Sequence, residues 1–166
     1  MRRKKMRRTI FTGFVICWMI VIFIFSARNA DTSSQDSSRI GMLAGQIFIK
    51  DFNNWDLQKQ ISFAKKIDHP VRKTAHATEY AILGVLLFGA LYQNKEQKRR
   101  TAVLSWGIGT AYAATDEIHQ LFVPGRSGQV SDVLLDSSGV AAGVIFLLLL
   151  IGLGNRFSTR MRCKKQ

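Results

Sequence analysis

Acidic residues are scarce in this chain, eleven against 24 lysines and arginines in 166 residues, for a net charge of +13. Such an imbalance suits a nucleic-acid binder only if the cations form a stripe or patch. They do not. Six basic residues lie between Arg2 and Arg8, four between Lys95 and Arg100 and five between Arg156 and Lys165, each cluster beside a hydrophobic run. That distribution excludes nucleic acid as the partner and marks segments on the cytoplasmic side of a membrane. Cysteine is nearly absent: Cys17 falls in the first hydrophobic run and Cys163 in the basic tail, which excludes an extracellular disulfide framework and leaves both thiols reduced. Small residues are missing where signal cleavage needs them, because Phe25 and Arg28 stand two positions before Ala27 and Ala30. The run from Thr9 to Phe25 is therefore an uncleaved anchor. With no internal repeat and no low-complexity tract, residues 1–166 make one domain.

What is present is hydrophobic length. Four runs, at about 9–25, 74–92, 101–123 and 133–153, match a hydrocarbon core of about 30 Å at about 1.5 Å rise per residue. The expected fold is all-α, an integral membrane bundle of four transmembrane helices with both termini in the cytoplasm. An outer segment, 26–73, joins the first two spans, opening with the Ser-rich stretch Ser26 to Ser38 and closing at His69-Pro70. Within it, Ile40, Leu43, Ile47 and Phe48 recur at helical spacing, as do Leu57, Ile61 and Ala64. Lys59, Lys65 and Lys66 fall off the stripe, so two amphipathic helices in the membrane interface are expected, with short helices capping the bundle as the alternative. Trp55 can anchor this segment at the interface, whereas Trp18 and Trp106 face packing or lipid.

The few acids are concentrated where lipid should exclude them. Glu79, Asp116, Glu117, Asp132 and Asp136 lie inside or at the edge of apolar spans, five others lie between Asp31 and Asp68, and only Glu96 remains. Counted from the outer face, Glu79 is about 9 Å deep from Lys73, Asp116 about 10 Å deep from Val123, and Asp136 about 6 Å deep from Asp132. Three helices thus bring polar groups to one layer. Spacings of three and four place Lys73, His76, Glu79 and Tyr80 on one face, Asp116 with His119 and Gln120 on another, and Asp132 with Asp136 on a third.

Three chemistries use such a layer. Asp116 three residues from His119 can orient an imidazole for proton transfer. Carboxylates and imidazoles on facing helices can hold a divalent metal. Arg72, Lys73 and Arg126, the last in the turn Pro124-Gly125-Arg126-Ser127-Gly128, can hold an anion. A fourth use is purely structural, with the groups pairing to fasten the bundle. Proton or ion transport would also need intramembrane acids, but the cytoplasmic half supplies none. Gly139-x3-Gly143, with Ser138 and Ala142, reads as a close helix-packing face, and Gly107, Gly109 and Ala111 read alike. His69, beside Pro70, reads as a solvated loop residue.

Three ordered motifs, Arg72-Lys73-x-x-His76-x-x-Glu79-Tyr80-x-x-Leu83-Gly84, Asp116-Glu117-x-His119-Gln120-x-Phe122-x-Pro124-Gly125-Arg126, and Asp132-x3-Asp136-x2-Gly139-x3-Gly143, resemble the VanZ-like family of small bacterial membrane proteins. The family pattern often has Asn where this chain has Asp136. The resemblance also takes in Phe25-Ser26 after the first span. It implies a multi-pass protein of the bacterial plasma membrane that acts in the cell envelope and contributes to low-level teicoplanin resistance. On that basis the expected partners are membrane lipids and a lipid-linked envelope precursor. The expected catalytic groups are His76, Glu79, Asp116, Glu117 and His119. Lys73, Tyr80, Gln120, Arg126, Asp132 and Asp136 are the expected binding groups. The alternative is a non-catalytic scaffold or accessory subunit.

Overall fold

The structure, a computed structural model, describes residues 2–94 and 96–163, and the side chains of these except at 3, 4 and 155–163. Lys95 and the side chains of the basic tail, Arg156 to Lys165 with Cys163, lie outside the described residues. Within them there are five α-helices and one 3-10 turn and no strand: α1 (Arg2–Ser26), α2 (Ala30–Phe48), the turn Phe52–Asn54, α3 (Leu57–Leu91), α4 (Lys98–Gln120) and α5 (Val130–Cys163). Three of the described helices, α1, α3 and α5, are long and apolar enough to cross a membrane. The fourth expected span, α4, has the length at 23 residues but carries Asp116 and Glu117 besides Thr101, Ser105, Thr110 and Thr115.

Helix starts follow local chemistry. Asn29 caps α2 by accepting the Thr32 N–H at 2.9 Å, and Asp56 caps α3 by accepting the Gln58 N–H at 3.1 Å. Between these helices Asp51 takes a left-handed conformation, φ 60°, which short polar side chains tolerate.

The connection of α2 to α3 corrects two expectations. His69-Pro70 does not end a loop; both residues sit inside α3, a continuous helix of 35 residues. Proline removes one backbone donor there, yet the neighbouring turn is held by Arg72 donating to Asp68 at 2.5 Å and by the Ser37 hydroxyl of α2 donating to Asp68. Leu57, Ile61 and Ala64 are thus the first turns of a helix about 52 Å long, not a separate element. The second correction concerns the alternative reading of α2 as a capping helix. Its small face, Ser37, Gly41 and Gly45, is the buried one, and a Cβ at Gly41 would meet Ala64 at 3.3 Å. Its apolar stripe faces outward, with Phe48 84% and Ile47 73% exposed, so α2 does not cap the bundle with that face.

The core lies where α1, α3, α4 and α5 meet, around Ile22, Leu83, Phe88, Ala113 and Val140. α3 and α5 run parallel and approach backbone to backbone. A Cβ at Gly139 would lie 2.4 Å from the Ala77 carbonyl oxygen, one at Gly143 would lie 1.9 Å from that of Ala81, and one at Gly84 would lie 2.4 Å from that of Val140. The Gly139-x3-Gly143 packing face is therefore present as expected, and Gly109 joins it against Val140. Gly107 does not: nothing lies within 4 Å of where its Cβ would stand. α1 is tied across the bundle by Trp18 donating to the Glu79 carbonyl at 2.9 Å and by its Met19 carbonyl accepting from Tyr112 at 2.7 Å. Trp106 donates to Ser137 at 3.0 Å, and Trp55 packs on Phe52 and Phe63 with the Lys59 ammonium 4.2 Å from its ring centre.

Candidate functional site

The middle of α3, the end of α4, the loop after it and the start of α5 line a cavity of about 200 Å³. Its roof is the loop between α4 and α5. Pro124 and Gly125, with Gly125 at φ 75°, form a tight turn closed by the Arg126 N–H donating to the Val123 carbonyl at 3.1 Å, and only a residue without a Cβ adopts that φ freely. Gly128 is needed for another reason, since a Cβ there would stand 2.5 Å from the Glu117 carbonyl oxygen. The loop is pinned on both sides. The Ala30 N–H donates to the Pro124 carbonyl at 3.3 Å, and the Arg126 Nε donates to the Arg28 carbonyl at 3.1 Å.

Arg126 is therefore fixed over the cavity by its backbone and one nitrogen, with a second nitrogen 3.5 Å from Gln120 Oε1. Burial first, and then the nearby Arg72 guanidinium, pull Arg126 below its ordinary basicity. Gln120 is held in turn: its amide nitrogen donates to Glu117 Oε1 at 3.1 Å and reaches Asp116 Oδ2 at 3.4 Å. Glu117 also accepts the Gln129 N–H at 2.9 Å, just before the start of α5. On the opposite wall Lys73 pairs with Asp132 at 2.7 Å.

Of the eleven residues expected from sequence, seven line the cavity: Lys73, His76, Glu117, Gln120, Arg126, Asp132 and Asp136. Glu79, Tyr80, Asp116 and His119 do not reach its wall. Tyr80 and Asp116 are buried, 0% and 3% exposed. The expected proton-transfer pair Asp116–His119 is not formed. The His119 ring lies against Phe23 of α1, with ring centres 4.5 Å apart, while Asp116 is taken by Gln120. Residues three and four apart lie on adjoining faces, and here the neighbouring helix decided which pair met. Nor does a hydrogen bond join His76 to Glu79. Among the described residues, no group of three or more His, Cys, Asp or Glu side chains is placed to hold a metal ion.

Sequence reasoning set aside two further polar wall residues, His69 and Gln129. His69 lies three and four residues before Arg72 and Lys73, a signal legible only if α3 continues through Pro70. Ser26, included only through the motif resemblance, is fully buried at the end of α1. It belongs to a wider pattern. Every buried side-chain atom without a hydrogen-bond partner, among the described residues, is on Ser26, His76, Tyr80, Asp116, His119 or Asp136. Such atoms are rare in proteins, and these all belong to helices at the cavity end of the bundle.

Long apolar helices around a polar cavity define a multi-pass helical membrane protein whose buried ionisable groups are gathered at one end. Residues 11–151 match the family model VanZ/LLP1, and the chain belongs to that family. Comparison with curated proteins and with solved structures returned no match.

Proposed function

We infer that the protein spans the plasma membrane of a bacterium four times, with α4 as the third span and both termini in the cytoplasm. On this reading its cavity binds or modifies the headgroup of an envelope lipid or lipid-linked precursor at the outer leaflet. The observation that carries this is Arg126, half-buried and held by its neighbours over a cavity that also presents Lys73, Arg72 and His76. Cations fixed at the rim of a membrane-embedded cavity suit a phosphate or carboxylate arriving with its lipid. The topology follows from charge: Arg2 to Arg8 and Lys98 to Arg100 lie at the ends of α1 and α4 remote from the cavity, as the cytoplasmic preference of Lys and Arg requires. The outward apolar stripe of α2 gives the outer segment a surface for lipid.

Family membership makes teicoplanin susceptibility the phenotype to follow. Arg126→Gln should abolish protection while membrane-inserted protein stays at the wild-type level, and Asp116→Asn, outside the cavity wall, should not. Protection that survives Arg126→Gln at equal abundance would remove the headgroup reading. The scaffold reading draws on one observation, that Lys73–Asp132 and Glu117–Gln129 already link α3, α4 and α5. It expects the same variants to fail only where protein is lost.

A further inference from the structure

The cavity is chemically two-sided, and its two sides need different groups from one ligand. Its rim is cationic. Its floor holds Asp136, 0% exposed, whose two carboxyl oxygens both lack a hydrogen-bond partner, unlike Asp132 one turn above it, whose Oδ1 pairs with Lys73. Around this floor stand further acids, Glu117, Asp116, Asp132 and Glu79, and no side chain donates a hydrogen bond to it. An anion without donors would therefore be held at the rim and leave the acceptors of the floor unpaired. Asp132 and Asp136 are four residues apart, about 6 Å along α5, roughly the distance from a phosphorus atom to the end of a glycerol or ethanolamine group.

We propose that the cavity recognises a phosphate ester whose organic substituent carries hydrogen-bond donors, hydroxyls or an ammonium, with the phosphate at Arg126 and Lys73 and the donors on the Asp136 carboxyl oxygens. This rests on the headgroup reading above and narrows it from any anionic lipid to a donor-bearing one. Buried acceptors left unpaired are the usual origin of such discrimination, because a ligand without the matching donor leaves them unsatisfied.

The test uses the full chain purified in an uncharged detergent, with lipid binding followed by native mass spectrometry. Phosphatidylglycerol offers phosphate and two hydroxyls, phosphatidylethanolamine phosphate and an ammonium, and phosphatidic acid phosphate alone. Wild type should prefer phosphatidylglycerol or phosphatidylethanolamine over phosphatidic acid by about tenfold, the effect of leaving one buried acceptor unpaired. Asp136→Asn, nearly isosteric, should bring that ratio to within about threefold, and Asp136→Ala should do the same, so that the result does not depend on one variant folding. Arg126→Gln should weaken all three lipids. Equal binding of the three by wild type, with Arg126 still required, overturns the donor floor and leaves the headgroup reading standing. Binding indifferent to Arg126 overturns both. Soluble glycerol phosphate added in excess separates the sources of the same chemistry: displacement of phosphatidylglycerol supports the proposal with a water-soluble ligand, and retention supports it with a lipid.

Discussion

Around Ala81 and Gly143, α3 and α5 touch so closely that a single methyl group would overlap a carbonyl oxygen, and the side chains nearby, Leu83, Leu87, Phe88 and Val144, are apolar and buried. About two turns toward the cavity the same pair of helices is separated by Lys73, His76, Asp132 and Asp136, and polar atoms lie buried without partners. One pair of helices thus contains a seam and a gap. Membrane helices gain little from burying apolar surface against one another, so close backbone packing at small residues has to supply the adhesion. The seam does this. It lets the other end retain polar groups whose burial opposes folding, and a buried polar group that stabilises nothing within the protein is available to a ligand.

The largest effect should come from breaking the seam. Gly143→Ala places a Cβ 1.9 Å from the Ala81 carbonyl, where only backbone movement can relieve it. Overpacking of this kind costs about 1–3 kcal/mol, and the absence of a flexible side chain to move puts Gly143 near the upper figure, ~3 kcal/mol. Thermal unfolding in detergent should show the loss, and Gly139→Ala should follow it. Unchanged melting of Gly143→Ala would mean that α3 and α5 are not held together here, and the comparison would fail.

Much of this division could be read from the sequence, for reasons that also explain where the reading stopped. Gly139 and Gly143 are four apart in an apolar helix, and seven of the eleven polar residues named from the sequence line one cavity. Spacing assigns a face; it does not assign a partner. Asp116 could reach His119 or Gln120 equally well along its own helix, and Phe23 from α1, 93 positions before Asp116 in the chain, settled the matter by covering the histidine. Pro70 read as a stop because its missing donor is visible in the sequence, whereas the hydrogen bond from Ser37 to Asp68 that steadies the same turn joins two helices. α2 decided between its two sequence readings by a signal outside the apolar stripe. An apolar stripe normally points to the core, but small residues govern the packing of this helix and its stripe is left outward.

A smaller effect should come from the edge of the gap, where Lys73 and Asp132 join its walls. Both side chains are partly exposed, 33% and 27%. Their coupling in a double-mutant cycle of Lys73→Met and Asp132→Asn should therefore be about 1 kcal/mol, at the upper end for accessible pairs. A coupling near that of the seam would make the ion pair a principal fastener and favour the scaffold reading. A coupling near zero would sharpen the contrast, with both charges left free for a ligand.

The smallest change tests a glycine that the seam does not use. Gly107 lies in the middle of α4 with open space where its Cβ would be, only two residues from Gly109, whose Cβ would meet Val140 at 2.7 Å. Alanine at 107 should gain up to about 0.5–1 kcal/mol from reduced backbone freedom in the unfolded chain, whereas alanine at 109 should cost stability. The opposite sign at Gly107 would have a definite meaning. If Gly107→Ala lowers the melting temperature, something outside this chain packs against that face of α4, and small residues there would serve association between molecules as Gly143 serves it within one.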